Sequence, residues 1–373
     1  MDKAAKHTSA WADAATGQMH PARSHEVHAR VRSFSRAGGR LRASQHAALE
    51  RHGDSYLVQV PRRDAIRTVD PDFVLDPQQV FGRSAPLIVE VGPGGGEALL
   101  AAAKANPDTD FLAVEVWETA IAKIVSAAAA QALDNVKVVA ADASQLLATA
   151  LPVGCAGEVW TFFPDPWRKS RHRKRRLVNE AYATLVARVL APGGVWRLAT
   201  DWADYAWQMR DVVEAVSAKG LFDYPDAGAR PQLGSDTWVE GDKGNGPDPG
   251  SPRGVMGGWS QRFSGRKLTR FEARGIAEGR TIRDLTALRT DQKLTPEIDS
   301  REMVQREVAQ REVAQREVAQ REVAQREVAQ REVAQSEVAQ SEVAQSEAAQ
   351  REVAQSEAAQ PENGASGLRA PSA

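Results

Sequence analysis

The stretch Phe162-Phe163-Pro164-Asp165-Pro166-Trp167 sets one carboxylate between two prolines, and Arg168-Lys169-Ser170-Arg171-His172-Arg173-Lys174-Arg175-Arg176 follows it directly. Proline fixes its own φ and restricts the residue before it, so Asp165 has few backbone conformations to choose from. Seven Lys/Arg in nine residues form the electrostatic footprint of a surface that grips phosphates. A placed carboxylate beside a phosphate clamp points to chemistry on a nucleic acid. A plain turn followed by a solvated charged face would use the same residue types, so the rest of the chain has to separate the two.

The elements that must position Asp165 repeat a theme. Glu158-Val159-Trp160-Thr161-Phe162-Phe163 reads as a buried strand. Upstream, Pro86 to Val91 reads as a strand that runs into Gly92-Pro93-Gly94-Gly95-Gly96 and then an Ala-rich helix, Glu97 to Ala105. Strand, glycine turn and helix in that order let backbone approach a ligand lying on the helix N-terminus, which makes Gly92, Gly94 and Gly96 candidate cofactor contacts. The next strand, Phe111 to Val116, delivers Glu115 twenty-three residues past Gly92. That is near the ~20-residue spacing at which an acid receives ribose hydroxyls. A helix from Trp117 to Ala132 leads to a third strand, Val136 to Ala141, ending at Asp142. After a helix from Leu177 to Leu190 and the turn Ala191-Pro192-Gly193-Gly194, a fifth strand, Val195 to Thr200, ends at Asp201. With Glu90 on the first strand, five strands thus finish on acids, and the carboxyl edge of an open parallel α/β sheet is where ligands bind.

The fold class expected is α/β and Rossmann-like, a mostly parallel central sheet with helices on both faces. Residues 1–30 lack the apolar content to repay ordering and read as a disordered extension. The domain itself is expected over residues 31–293. It opens on an arginine-bearing arm in which Ser44 could cap a short helix, and carries a Gly/Pro/Asp-rich flexible insertion at 234–258. A last strand-like segment is expected to end in Thr269-Arg270-Phe271-Glu272. Residues 294–373 are a low-complexity tail of twelve pentads, mostly Arg-Glu-Val-Ala-Gln. Five residues advance about 500° on a helix, so the valines make no stripe and a coiled coil is excluded. The tail holds nine Lys/Arg against fifteen Asp/Glu, a balance of −6, which leaves +5 on residues 1–293 of a chain whose net charge is −1. One cysteine, Cys155, excludes a disulfide framework, and no run approaches the ~20 apolar residues a membrane span needs. With no signal-peptide core in the polar first thirty residues, the cytoplasm is the expected location.

Together, Val89-Glu90-Val91-Gly92-x-Gly94-x-Gly96, Glu115, Asp142, Phe163-Pro164-Asp165-Pro166-Trp167-x-Lys169-x-Arg171-His172-x-Lys174-Arg175-Arg176, Thr200-Asp201 and Thr269-x-Phe271-Glu272 closely resemble the bacterial tRNA (guanine-N(7)-)-methyltransferases over roughly residues 31–290. The resemblance implies S-adenosyl-L-methionine as the cofactor, held by Glu90, Glu115, Asp142 and Asp165, with Asp165 also catalytic. It implies tRNA as the partner, met by Lys169, Asp201 and Thr269, Arg270, Phe271 and Glu272, with Arg171, His172, Arg173, Lys174, Arg175 and Arg176 on its backbone. The modified base would be a variable-loop guanine. No metal and no membrane enter this reading, and monomer and homodimer both stay open. Two residues depart from the family pattern: Pro93 removes a potential N–H donor from the glycine loop, and Lys267 stands where proline is expected before the Thr-x-Phe-Glu segment. Two other classes compete. An NAD-dependent oxidoreductase shares the glycine turn and ribose acid but leaves the basic run unexplained. A non-catalytic RNA-binding protein on the same fold has no need of Asp165, Lys169 and Asp201 together.

Overall fold

The computed structural model describes residues 41–62, 69–229 and 248–292, all within the unit Val31–Val313. The expected extension at 1–30, the pentad tail and part of the 234–258 insertion lie outside the described residues. In chain order the elements are α1 (Ala43–Tyr56), β1 (Leu57–Val58), α2 (Pro77–Phe81), β2 (Leu87–Val91), α3 (Glu97–Ala105), β3 (Asp110–Val114), α4 (Glu118–Ala130), β4 (Val136–Val139) and α5 (Ala143–Gln145). A π-helical turn (Leu146–Ala150) leads to β5 (Ala156–Phe162), and a 3₁₀ turn (Ser170–Arg175) to α6 (Glu180–Val189). Then come β6 (Leu190–Thr200), α7 (Ala203–Ala218), β7 (Phe222–Asp223), α8 (Arg270–Ala277) and β8 (Arg283–Arg289).

The eight strands form one sheet in the order β1-β4-β3-β2-β5-β6-β8-β7. Pairing is parallel from β1 through β6, and β8 runs antiparallel between β6 and β7. The chain builds outward from β2 to β3 and β4, then returns to lay β5 on the other side of β2. The strand order therefore reverses between β2 and β5, the place where an open α/β sheet leaves a crevice at its carboxyl edge.

Strand side chains alternate between two apolar layers, as period-2 geometry demands. Val89, Val91, Leu112, Val159, Trp196 and Leu198 join α6, α7 and the π turn on one face. Phe111, Ala113, Trp160 and Phe162 join α1, α3 and α4 on the other. Glu90 falls on the second face, where every neighbour in the alternation is apolar, and is only 3% exposed. A carboxylate in such a position breaks the local pattern, and such breaks gather at functional sites.

Several expected elements differ in detail. The first helix begins at Ala43, one residue ahead of Ser44, and Gln45 rather than Ser44 takes the Arg42 N–H at its start, at 3.0 Å. The helix expected from Leu177 starts at Glu180 because Asn179 caps it, accepting from the Tyr182 N–H at 3.0 Å. The turn at Ala191-Pro192-Gly193-Gly194 is absorbed into β6 beside an irregularity in the β5 pairing. There the backbone passes so close to Gly194 that a Cβ would stand 2.8 Å from the Ala191 carbonyl oxygen. The Thr269–Glu272 segment opens a helix instead of ending a strand. Thr269 is its N-cap, accepting from the Glu272 N–H at 3.1 Å, so Thr-x-x-Glu works as a capping signature. The described end of the insertion is anchored: Asp248 accepts from Arg210 at 2.6 Å and from the Gly257 N–H at 2.7 Å.

Candidate active site

At the carboxyl end of β2 the chain turns through Gly92, Gly94 and Gly96, with φ of 70°, 56° and 74°. These left-handed values favour glycine, which has no Cβ to clash. A Cβ on Gly92 or Gly94 would meet nothing within 4 Å, so the loop faces open space, whereas one on Gly96 would strike Ile124 at 2.9 Å. Two glycines thus leave room for a ligand and the third lets α3 pack. Pro93 does not disturb the turn, since its carbonyl accepts the Gly96 N–H at 2.9 Å.

Glu115 closes the loop from β3. Its carboxylate accepts from the Gly94 N–H at 3.0 Å and from the Val116 and Trp117 N–H groups at 2.7 and 3.0 Å. Its orientation is therefore set by backbone before any ligand arrives. Asp142 caps α5, accepting from the Ser144 N–H at 3.0 Å. Glu90 sits beneath the loop with one carboxylate oxygen buried and unpartnered. Burial pushes its carboxyl up to about 8, the Glu115 charge adds to the rise, and the Leu99 backbone N–H and the Arg266 guanidinium oppose it. A buried acceptor left open in an apolar layer is costly unless a ligand completes it.

Across the crevice, β5 ends in strain. Phe163 and Trp167 have φ of 50° and 43°, a conformation bulky residues avoid, and they bracket Pro164-Asp165-Pro166. The Phe163 N–H continues the sheet ladder onto the Ala199 carbonyl at 2.8 Å, which fixes where the turn leaves the sheet. Asp165 stands exposed at the rim. Desolvation by the surrounding turn raises its carboxyl from the ordinary value.

The basic run divides into two kinds of residue. Lys169, Arg171 and Lys174 are exposed. Arg168 lies over the Trp202 ring at 4.2 Å and Arg175 over Trp167 at 4.9 Å, while Trp167 meets His172 edge-on at 5.8 Å. Arg173 pairs with Asp204 at 2.6 Å. Arg176, grouped with the RNA-facing residues in the sequence, is instead only 3% exposed. It donates to the Pro166 carbonyl at 2.8 Å and to Asp204 at 2.7 Å, and lies over Tyr205. The interior guanidinium is turned away from the exposed face and tied to the Asp165 turn through the Pro166 carbonyl.

The third wall is α8. Phe271 is 69% exposed, an aromatic face turned to solvent beside the exposed Arg274. Arg270 holds Glu97 at the start of α3, at 2.5 Å, and lies against Gly95, which ties α8 to the glycine loop. Asp201, at the end of β6, accepts from Arg280 at 2.8 Å. Glu272 is fully buried in a network with Arg262 and Arg266 and, like Arg176, is turned away from any substrate. Glu97, Trp202, Asp204 and Arg280 were not singled out in the sequence, because the partners that place them here lie tens of residues away; Arg266 was passed over as well, although Glu272 stands only six residues from it.

The crevice thus joins a glycine cradle with buried carboxylates on one side to a strained exposed carboxylate with cations on aromatic rings on the other. Among the described residues no group of three or more His, Cys, Asp and Glu could hold a metal ion, and no helix is long and apolar enough to cross a membrane. A family model described as "Putative methyltransferase" matches residues 84–223. A relative from Arthrobacter sp. (strain FB24), named tRNA (guanine-N(7)-)-methyltransferase, is 45% identical over 270 residues, covering 68% of this chain and 84% of its own. Relatives of the same name from Paenarthrobacter aurescens (strain TC1) and Methylococcus capsulatus are 42% and 39% identical and are covered over 90% and 95% of their lengths, against 68% and 70% of this chain.

Proposed function

The chain belongs to the tRNA (guanine-N(7)-)-methyltransferase family, and from that membership we propose how its strand ends divide the work. The enzyme transfers a methyl group from S-adenosyl-L-methionine to the seven-position nitrogen of a guanine in tRNA. The donor supplies an electrophilic methyl on a cationic sulfur. Its fit to this crevice rests on two features: the open space over Gly92 and Gly94, and the unpartnered buried oxygen of Glu90, an acceptor suited to the cationic methionine end. Glu115, oriented by three backbone N–H groups, receives the ribose hydroxyls. Asp142, one strand further out, faces the adenine side.

The seven-position nitrogen carries an in-plane lone pair and has no proton to lose, so no general base is needed. As nitrogen attacks, the carbon–sulfur bond breaks, the pair leaves with sulfur, and positive charge moves onto the purine. The chain must therefore align nitrogen, methyl and sulfur and place negative field beside the shifting charge. Asp165 does both. Its turn is held by Phe163 and Trp167 in strained conformations and by Arg176 on the Pro166 carbonyl, so little reorganisation is left for the reaction step. The exposed Lys169, Arg171 and Lys174 hold the tRNA backbone, the cations on Trp202 and Trp167 extend that surface, and Phe271 offers a ring on which a base can stack.

The observation that carries this reading is the meeting of the Glu90 acceptor and the strained Asp165 turn across the β2/β5 reversal. Incubating the protein with labelled S-adenosyl-L-methionine and tRNA lacking the modification, then mapping the labelled base, tests it. A seven-methylguanine in the variable loop is expected. Label elsewhere in the tRNA would overturn the substrate pose, and label on no nucleotide would overturn the roles assigned to the basic run.

A further inference from the structure

Arg266 is fully buried between α8, β8 and the end of β5. It forks onto Glu272, with its Nε and Nη2 donating at 3.2 and 3.0 Å. It forks again onto Asp284 of β8, with Nη2 donating at 3.0 Å and Nη1 bonded to the other oxygen. The guanidinium carbon lies over the Phe162 ring at 5.0 Å from its centre and over that of Phe163 at 5.5 Å. Asp284 pairs with Ala199, one residue before Thr200, so the same cation reaches the β6 end that carries Asp201.

Desolvating a cation and two carboxylates costs several kcal/mol, and apolar residues of equal volume are often as stabilising as a buried ion network. Such a network does fix angles, because a planar five-donor fork accepts its partners in few orientations. One partner of this fork is the buried first-turn carboxylate of α8, and the guanidinium lies over the ring of Phe163, the strained residue two positions before Asp165. We propose that Arg266 is a positioning residue for methyl transfer: one guanidinium sets the Phe163–Trp167 turn, and with it Asp165, at a fixed distance from α8.

This rests on the placement of Asp165 beside the reacting atoms. Arg266→Lys keeps the charge but loses the fork, so the fold is retained while the turn loosens. Its kcat falls about 10-fold or more, while KM for donor and for tRNA stays within about 2-fold of the parent. Arg262→Lys is the control, since Arg262 also holds Glu272, at 2.6 Å, but from an exposed position; its kcat stays within about 2-fold. A parental kcat in Arg266→Lys, or losses in the two variants that simply track their melting temperatures, would overturn the proposal. If Arg266→Lys does not fold, Phe163→Leu decides: reduced kcat at an unchanged melting temperature supports the support role, and full activity overturns it. Asp165→Asn run in parallel separates the two claims, because an active Asp165→Asn removes the placement of Asp165 whatever Arg266→Lys does.

Discussion

The two sides of the β2/β5 crevice solve their binding problems by different means. On the β2–β3–β4 side, Glu90 and Glu115 are withdrawn from solvent and Asp142 is half-buried: Glu115 is oriented by three N–H groups, Asp142 is a helix cap, and Glu90 lies within an apolar layer. On the β5–β6–α8 side the working groups are exposed side chains, and order comes from strain and from cations laid on rings. A small cationic ligand that is swallowed whole can be met by fixed buried acceptors. A large polyanion has to be met at the surface, where charge acts at longer range and binding is salt-dependent.

Asp165→Asn should show the largest effect. The geometry of the turn is kept, the negative field is removed, and methyl transfer falls about 100-fold or more with an unchanged melting temperature. A near-parental rate would dissolve the distinction between the two sides. Arg176→Ala should act on stability instead, costing about 2 to 3 kcal/mol by leaving the buried Asp204 with Arg173 alone and the Pro166 carbonyl without its donor. Denaturant unfolding checks this, and a loss below about 1 kcal/mol would return Arg176 to the exposed class.

Glu115→Ala should raise KM for the donor about 10-fold or more while KM for tRNA changes little. Calorimetry that finds parental donor affinity would show that the acid serves the glycine loop alone. Lys169→Ala combined with Lys174→Ala should do the opposite: donor affinity is kept, and the slope of log affinity against log salt flattens by roughly 0.7 to 0.9 per lost phosphate contact. An unchanged slope would place both lysines off the RNA path.

The smallest expected signal is a proton. With its carboxyl at about 8, Glu90 is mostly protonated at pH 7 in the donor-free protein. A carboxyl raised on folding binds more protons folded than unfolded, so its contribution to stability declines as pH rises between its ordinary range and about 8. A cation arriving at its open oxygen favours the ionised form, so donor binding at pH 7 should release up to about one proton, and none well above pH 8. Calorimetry in buffers of different ionisation heat measures this release. Its persistence in Glu90→Gln would assign the proton to another group.

Much of the donor side was legible in the sequence. A parallel strand in a two-layered core is written as an apolar run, and an acid or glycine at its end stands out by type alone. Glu90, Gly92, Glu115, Asp142 and Asp165 all stand at or just past strand ends in the order expected. Thr269-x-x-Glu272 was also written in the chain, as an N-cap that a strand reading passes over. Lys174 and Arg176 show the limit, because two residues apart in one basic run they are interchangeable as text.

What the sequence determined alone is therefore what depends on near neighbours: alternation, helix caps, glycine turns and the sign of the local charge. What the tertiary structure decided depends on residues far apart in the chain. Arg176 is interior because Asp204 and Tyr205 lie beneath it. Glu90 has an open oxygen because α3 reaches only part of its carboxylate. Phe163 and Trp167 adopt φ values that their types disfavour because the sheet ladder and Arg176 hold the turn from both ends. Strain, burial and pairing of charge are sums over partners brought together by folding, and no single stretch of sequence contains those sums.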